Sequence, residues 1–86
     1  ELVGIVKEDL GQGRYLIGQK NRLFPGDKIK IMRPSDDIIE TVITEFMDEE
    51  GNQIDVANKA AMDFSAYSEV RLQPNDILII EKDDVE

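Results

Sequence analysis

One turn-and-strand device occurs twice in this chain, and it restricts the fold more than any other feature of the sequence. Phe24-Pro25-Gly26-Asp27 leads into Lys28-Ile29-Lys30-Ile31. Proline presets φ at the second position of a β-turn, and glycine accepts the positive φ of the third, which is the type II pattern. Asp27 is placed to cap a free backbone N–H as the strand begins. The alternation that follows predicts a strand with Ile29 and Ile31 facing a core and Lys28 and Lys30 on the opposite face. At an offset of 49, Leu72, Pro74, Asn75, Asp76, Leu78 and Ile80 repeat Leu23, Pro25, Gly26, Asp27, Ile29 and Ile31. Asparagine stands where positive φ is needed and is the next best residue there. Convergence of two similarly entered strands accounts for the repeat, and internal duplication is the alternative. In either case two inner strands are anchored alike.

The remaining segments read as short strands between turns. Residues 2–7 are β-rich and form a first strand, and the glycines of 8–13 supply a loop. Residues 14–20 form its hairpin partner, with Gly18 marking a bulge or a close backbone approach. A polar turn at 33–37 leads to the longest strand, 38–47. There Ile39, Thr41 and Ile43 alternate while Phe46 falls out of phase, so a bulge near Thr44 and Glu45 is expected. A hairpin loop at 48–52 precedes a short strand, 53–57, with Ile54 and Val56 inward. Residues 58–61 are ambiguous and are compatible with one helical turn, too short to be stable alone. Strands at 64–67 and 77–82 follow, and 83–86 form a frayed acidic tail. Seven short strands without a convincing helix indicate an all-β sandwich or barrel. Closure removes exposed edges, which favours a small closed β-barrel of about six to seven strands, one domain over residues 1–82.

Composition excludes several kinds of chemistry. Eighty-six residues make one domain with a modest core and little room for a deep enzyme cleft. Cysteine and histidine are both absent. Disulfides, Cys/His zinc sites, thiol nucleophiles and Ser-His or Cys-His dyads are therefore ruled out, and Ser35, Ser65 and Ser68 have no histidine base. No long apolar run suggests a membrane span or signal peptide. The lack of cysteine is compatible with a cytoplasmic location. The chain opens at Glu1 already inside a strand pattern, as expected of a domain cut from a longer protein.

Charge is uneven. The net charge of −9 opposes nonspecific binding to nucleic acid. Yet residues 14–33 carry six cations, Arg14, Lys20, Arg22, Lys28, Lys30 and Arg33, against Asp27 alone, a local +5; the rest carries four basic and eighteen acidic side chains, −14. Outward lysines can simply keep a sheet soluble. The other reading is a docking or substrate-facing surface, for which Lys20, Arg22, Lys28, Lys30 and Arg33 are the candidates. Asp48, Glu49, Glu50 and Asp55 do not fit an EF-hand loop, because the ligand positions before Gly51 would fall on Phe46 and Asp48. An acidic solvated hairpin accounts for them better, so no metal is expected. No pair of carboxylates stands out for acid–base catalysis. No glycine-rich phosphate loop opens a helix, and no cofactor is expected. Tyr15, Phe24, Phe64 and Tyr67 suit a core or barrel rim, with an aromatic platform for bases or proline-rich peptide as the alternative.

Several of these residues occur together in a known order. Gln19-Lys20-Asn21-Arg22-Leu23 followed by Gly26-Asp27, then Met47-Asp48-Glu49-Glu50-Gly51, Ile54-Asp55-Val56-Ala57 and Pro74-Asn75-Asp76, resemble the C-terminal domain of peptidase family U-32, the collagenase-like peptidases. The resemblance spans nearly the whole chain. It implies a small β-barrel similar to the second domain of translation elongation factors, appended to a catalytic barrel domain. It places peptidase activity in that upstream domain, and some members are associated with hydroxylation of tRNA or ribosomal RNA bases. The implied partners are the chain's own upstream catalytic domain and, through the parent, a collagen-like protein substrate or tRNA or rRNA. This chain has Asn58-Lys59-Ala60-Ala61 where the family often has a turn with proline and histidine, and Tyr67 and Ser68 where it often has proline. The expectation is a noncatalytic accessory domain that recognises or positions substrate; the alternatives are a structural docking or dimerisation module and an RNA-substrate-binding module.

Overall fold

A computed structural model describes residues 1–33, 38–58 and 62–80. Six strands, β1 (Leu2–Gly11), β2 (Arg14–Gln19), β3 (Lys28–Met32), β4 (Ile38–Met47), β5 (Asp63–Ser68) and β6 (Ile77–Ile79), close into a barrel. Their order around it is β1-β2-β5-β4-β3-β6, and every neighbouring pair is antiparallel. Closure occurs where short β6 pairs with both β1 and β3, so no barrel strand is left with an open edge.

The repeated turns have the same geometry. Asp27 N–H donates to the Phe24 carbonyl (3.1 Å), and Asp76 N–H to the Gln73 carbonyl (3.0 Å). Gly26 has φ +92° and Asn75 +78°, as a type II turn requires. As expected of Asp27, each aspartate caps a backbone N–H, that of the residue opening its turn: Phe24 N–H donates to Asp27 Oδ2 at 3.0 Å, and Gln73 N–H to Asp76 Oδ2 at 2.8 Å. Each turn is also tied to a distant strand, Gly26 N–H to the Ile43 carbonyl and Asn75 N–H to the Val6 carbonyl, both 2.8 Å. A Cβ added at Gly26 would touch nothing within 4 Å, so a side chain there meets only backbone strain. Gly26→Val is accordingly expected to lower stability by about 1–3 kcal/mol, whereas Asn75→Gly stays near neutral. Thermal melts of the two variants check this, and a harmless Gly26→Val would overturn the turn assignment.

Alternation fills the core. Val3, Val6, Ile17, Leu23, Ile29, Ile31, Ile43, Phe64, Leu72 and Leu78 are buried inside the barrel. Phe46 joins them because the β4–β5 register shifts between Thr44 and Met47, with Glu45 at φ +55°. The expected bulge is therefore present. Its ring meets that of Phe64 at a centroid distance of 4.7 Å.

Three expectations change. Residues 8–11 continue β1 as an exposed arm paired with β2, because a bulge at Lys7 swings the ladder outward instead of ending it. Gly18 lies in regular register with Ile5 and Asp63 and is not a bulge. Close approaches are at Gly4, where a Cβ would sit 2.9 Å from Ile17 Cγ2 and 3.2 Å from the Gly18 carbonyl, and at Gly13, where it would sit 2.6 Å from Tyr67 Cε1. Residues 53–57 form two isolated bridges, Met47 to Gln53 and Leu23 to Ala57, rather than a strand, with Ala57 buried and Val56 only half-buried. The turn at 34–37, the ambiguous segment at 59–61 and the tail from 81 onward lie outside the described residues.

Candidate functional site

The segment between β2 and the first proline turn is pinned at both ends. Lys20 N–H donates to the Val3 carbonyl at 2.9 Å, and the Asn21 side-chain amide to the Leu2 carbonyl at 2.6 Å. Three residues on, buried Leu23 exchanges both backbone hydrogen bonds with Ala57, at 3.0 and 2.8 Å. Between these anchors Lys20 and Arg22 stay exposed. Phe24 follows with 46 % of its surface exposed. Past the turn, Lys28 opens β3 on its outward face. Together with Gln19 and Asn58 these residues line an open groove of about 740 Å³.

Lys20, Arg22 and Lys28 give this groove a positive lining on an acidic body. None of the three has an ion-pair partner among the described residues. Glu1 and Asp27 also border it, and the Asp27 carboxylate accepts the Phe24 N–H.

Gln19 is the residue that sequence reading passed over. It shares the inward parity of Tyr15 and Ile17 and is only 2 % exposed. Its side-chain oxygen has no hydrogen-bond partner among the described residues. A buried, unpaired amide oxygen costs about 1–3 kcal/mol. The signal was a polar residue in the buried phase of an alternating strand.

The other two candidate cations lie elsewhere. Lys30 shares the outward face with Lys28 but sits two residues further along β3, where its Nζ is 3.9 Å from Glu40 Oε2. Arg33 has the parity of Ile29 and Ile31 and turns toward the barrel's inner side. Its Nε donates to buried Asp76 at 3.0 Å, and its Nη2 to the Arg71 carbonyl. Arg14, the first cation of the basic segment, is also structural. It donates to the Glu45 carbonyl (2.7 Å) and Ser65 Oγ (2.9 Å), clamping the β4 bulge.

Elsewhere the acidic hairpin is self-contained. Asp48 Oδ1 accepts the N–H groups of Asn52 (2.8 Å) and Glu50 (3.0 Å). The Asn52 N–H above all holds the Asp48 carboxyl below the usual carboxylate range. Among the described residues no group of three carboxylates converges on a point that could hold a metal ion. No described helix is long and apolar enough to cross a membrane.

A second surface feature runs across the outer wall. Ile38 pairs with Met32, Met32 with Ile77, and Ile77 with Ile5. Paired residues project to the same side, so these four side chains form one row across four strands. Ile38 is 61 % exposed, Met32 42 % and Ile77 38 %.

Comparison with known proteins agrees with this architecture. A sequence profile described as the peptidase family U32 C-terminal domain matches residues 1–78. A crystal structure of the C-terminal domain of a Geobacillus thermoleovorans protein assigned to the U32 peptidases superposes with a TM-score of 0.85 at 26 % identity, covering 95 % of this chain and 93 % of that one. Its selenomethionine variant gives a TM-score of 0.80 at 26 % identity, covering 91 % and 96 %. No curated protein matches the sequence.

Proposed function

Because this chain belongs to the peptidase family U32 C-terminal domains, we propose that it is a noncatalytic accessory domain that recognises or positions substrate for a peptidase domain elsewhere in the protein. The observation that carries this reading is the groove, with Lys20, Arg22 and Lys28 gathered beside exposed Phe24. Its lining offers cationic donors and an apolar ring, which suit binding. It offers no histidine or cysteine for nucleophilic catalysis.

The Ile38-Met32-Ile77 row favours a second reading, a docking module that packs against its own catalytic domain. Exposed apolar side chains in one row gain when water is removed from them, and they leave the barrel core untouched.

Two sets of variants in the full-length protein separate the readings. Lys20→Glu with Lys28→Glu leaves the core alone, so stability should change by no more than about 0.5 kcal/mol. The substrate reading expects this pair to raise KM on gelatin, most at low salt, with kcat retained, while the isolated chain hydrolyses none. The docking reading expects Met32→Lys with Ile38→Lys to loosen the domain from its partner, measured by limited proteolysis, with the lysine pair silent. An unchanged KM in the charge-reversed enzyme defeats the substrate reading.

A further inference from the structure

We propose that the groove takes an extended acidic peptide segment, one with a glutamate or aspartate next to an apolar residue. The inference rests on the substrate-positioning reading and names its ligand class. Three features of the groove define the ligand. Lys20, Arg22 and Lys28 call for negative charge. Exposed Phe24 calls for an apolar group beside it. Gln19 carries an amide oxygen without a partner, which calls for an N–H donor. A peptide supplies an N–H at every residue except proline. Gln19 borders the groove, and its side-chain oxygen is buried there without a partner among the described residues.

Charge decides against a polyanion. A nucleic acid carries a phosphate at every step and would run past the groove onto a body of net charge −9. Glu1 and Asp27 already border the groove itself. A peptide with one or two carboxylates places its charge on the three cations and keeps the rest of its length neutral.

Gln19 gives the proposal a signature that a structural role would not produce. Gln19→Met removes an unpaired buried oxygen at nearly constant volume, so the melting temperature should hold or rise. Peptide affinity should nevertheless fall several-fold, on the order of one lost hydrogen bond.

The test uses the 86-residue chain and fluorescence anisotropy with three labelled probes. These are a short peptide with paired glutamates beside a leucine, the same peptide with glutamines, and an oligouridine. The glutamate peptide is expected to bind roughly tenfold more tightly than its glutamine counterpart, and to lose that advantage when Lys20, Arg22 and Lys28 all become serine. If oligouridine binds through the same three cations and the peptide does not, the ligand class is wrong while a recognition role survives. If neither probe binds but charge reversal still raises KM in the full-length enzyme, the acidic-peptide proposal alone is lost. If neither probe binds and KM is also unmoved, both readings fall together.

Discussion

Asp76→Ala is expected to cost about 3–5 kcal/mol, a large share of the roughly 5–15 kcal/mol that holds a native protein together. Asp76 is 1 % exposed, and its Oδ2 accepts from two sources. One is the Gln73 N–H at 2.8 Å, which closes the second proline turn; the other is Arg33 Nε at 3.0 Å. Alanine would leave the Arg33 guanidinium, whose side chain is 15 % exposed, without its counter-ion. An uncompensated buried charge costs more than the pair contributes when intact. Arg33→Met combined with Asp76→Ala should therefore be milder than the sum of the two single changes. The equivalent change in the first turn, Asp27→Ala, removes a turn hydrogen bond but strands no ion-pair partner among the described residues, and should cost only about 1 kcal/mol. Urea unfolding of the four variants measures this. Equal losses from the two turns would show that the ion pair adds nothing.

Phe46→Ala should be comparably severe, at about 3–5 kcal/mol. The side chain is fully buried and tilts at 41° against Phe64. Its position depends on the bulge, where Glu45 takes φ +55° and Arg14 Nη2 binds the Glu45 carbonyl. The Ile54 N–H then pairs with the Phe46 carbonyl at 3.0 Å. Truncation opens a cavity that a closed barrel, hydrogen-bonded around its whole circumference, has little freedom to fill. Phe24→Ala serves as the control, because that ring is exposed and the change should stay within about 0.5 kcal/mol. A Phe46 variant that melts with the parent would mean that the ring does not face the core.

The cations show where parity was informative and where it was not enough. Lys28 and Lys30 share a face as their spacing requires, yet only Lys28 borders the groove, since each step of two residues along a strand moves a side chain about 7 Å. Arg33 was grouped with them by charge, although its own spacing from Ile29 and Ile31 already put it in the inward phase. Gln19 could have been singled out by the same count.

Alternation, proline, and residues that tolerate positive φ are local properties, and they determined the strands, both type II turns and the bulge before Phe46. Each depends on a few neighbouring residues, so a linear reading suffices. The order β1-β2-β5-β4-β3-β6 was not determined in this way, nor was the pairing of Arg33 with Asp76, 43 residues away. Nor could the sequence show that 53–57 is held by two single bridges, since those bridges belong to Met47 and Leu23 as much as to the segment. The groove is of the same kind. Lys20, Arg22 and Lys28 were legible as charges, but their convergence required the barrel to close, because closure alone sets how far apart the ends of different strands lie.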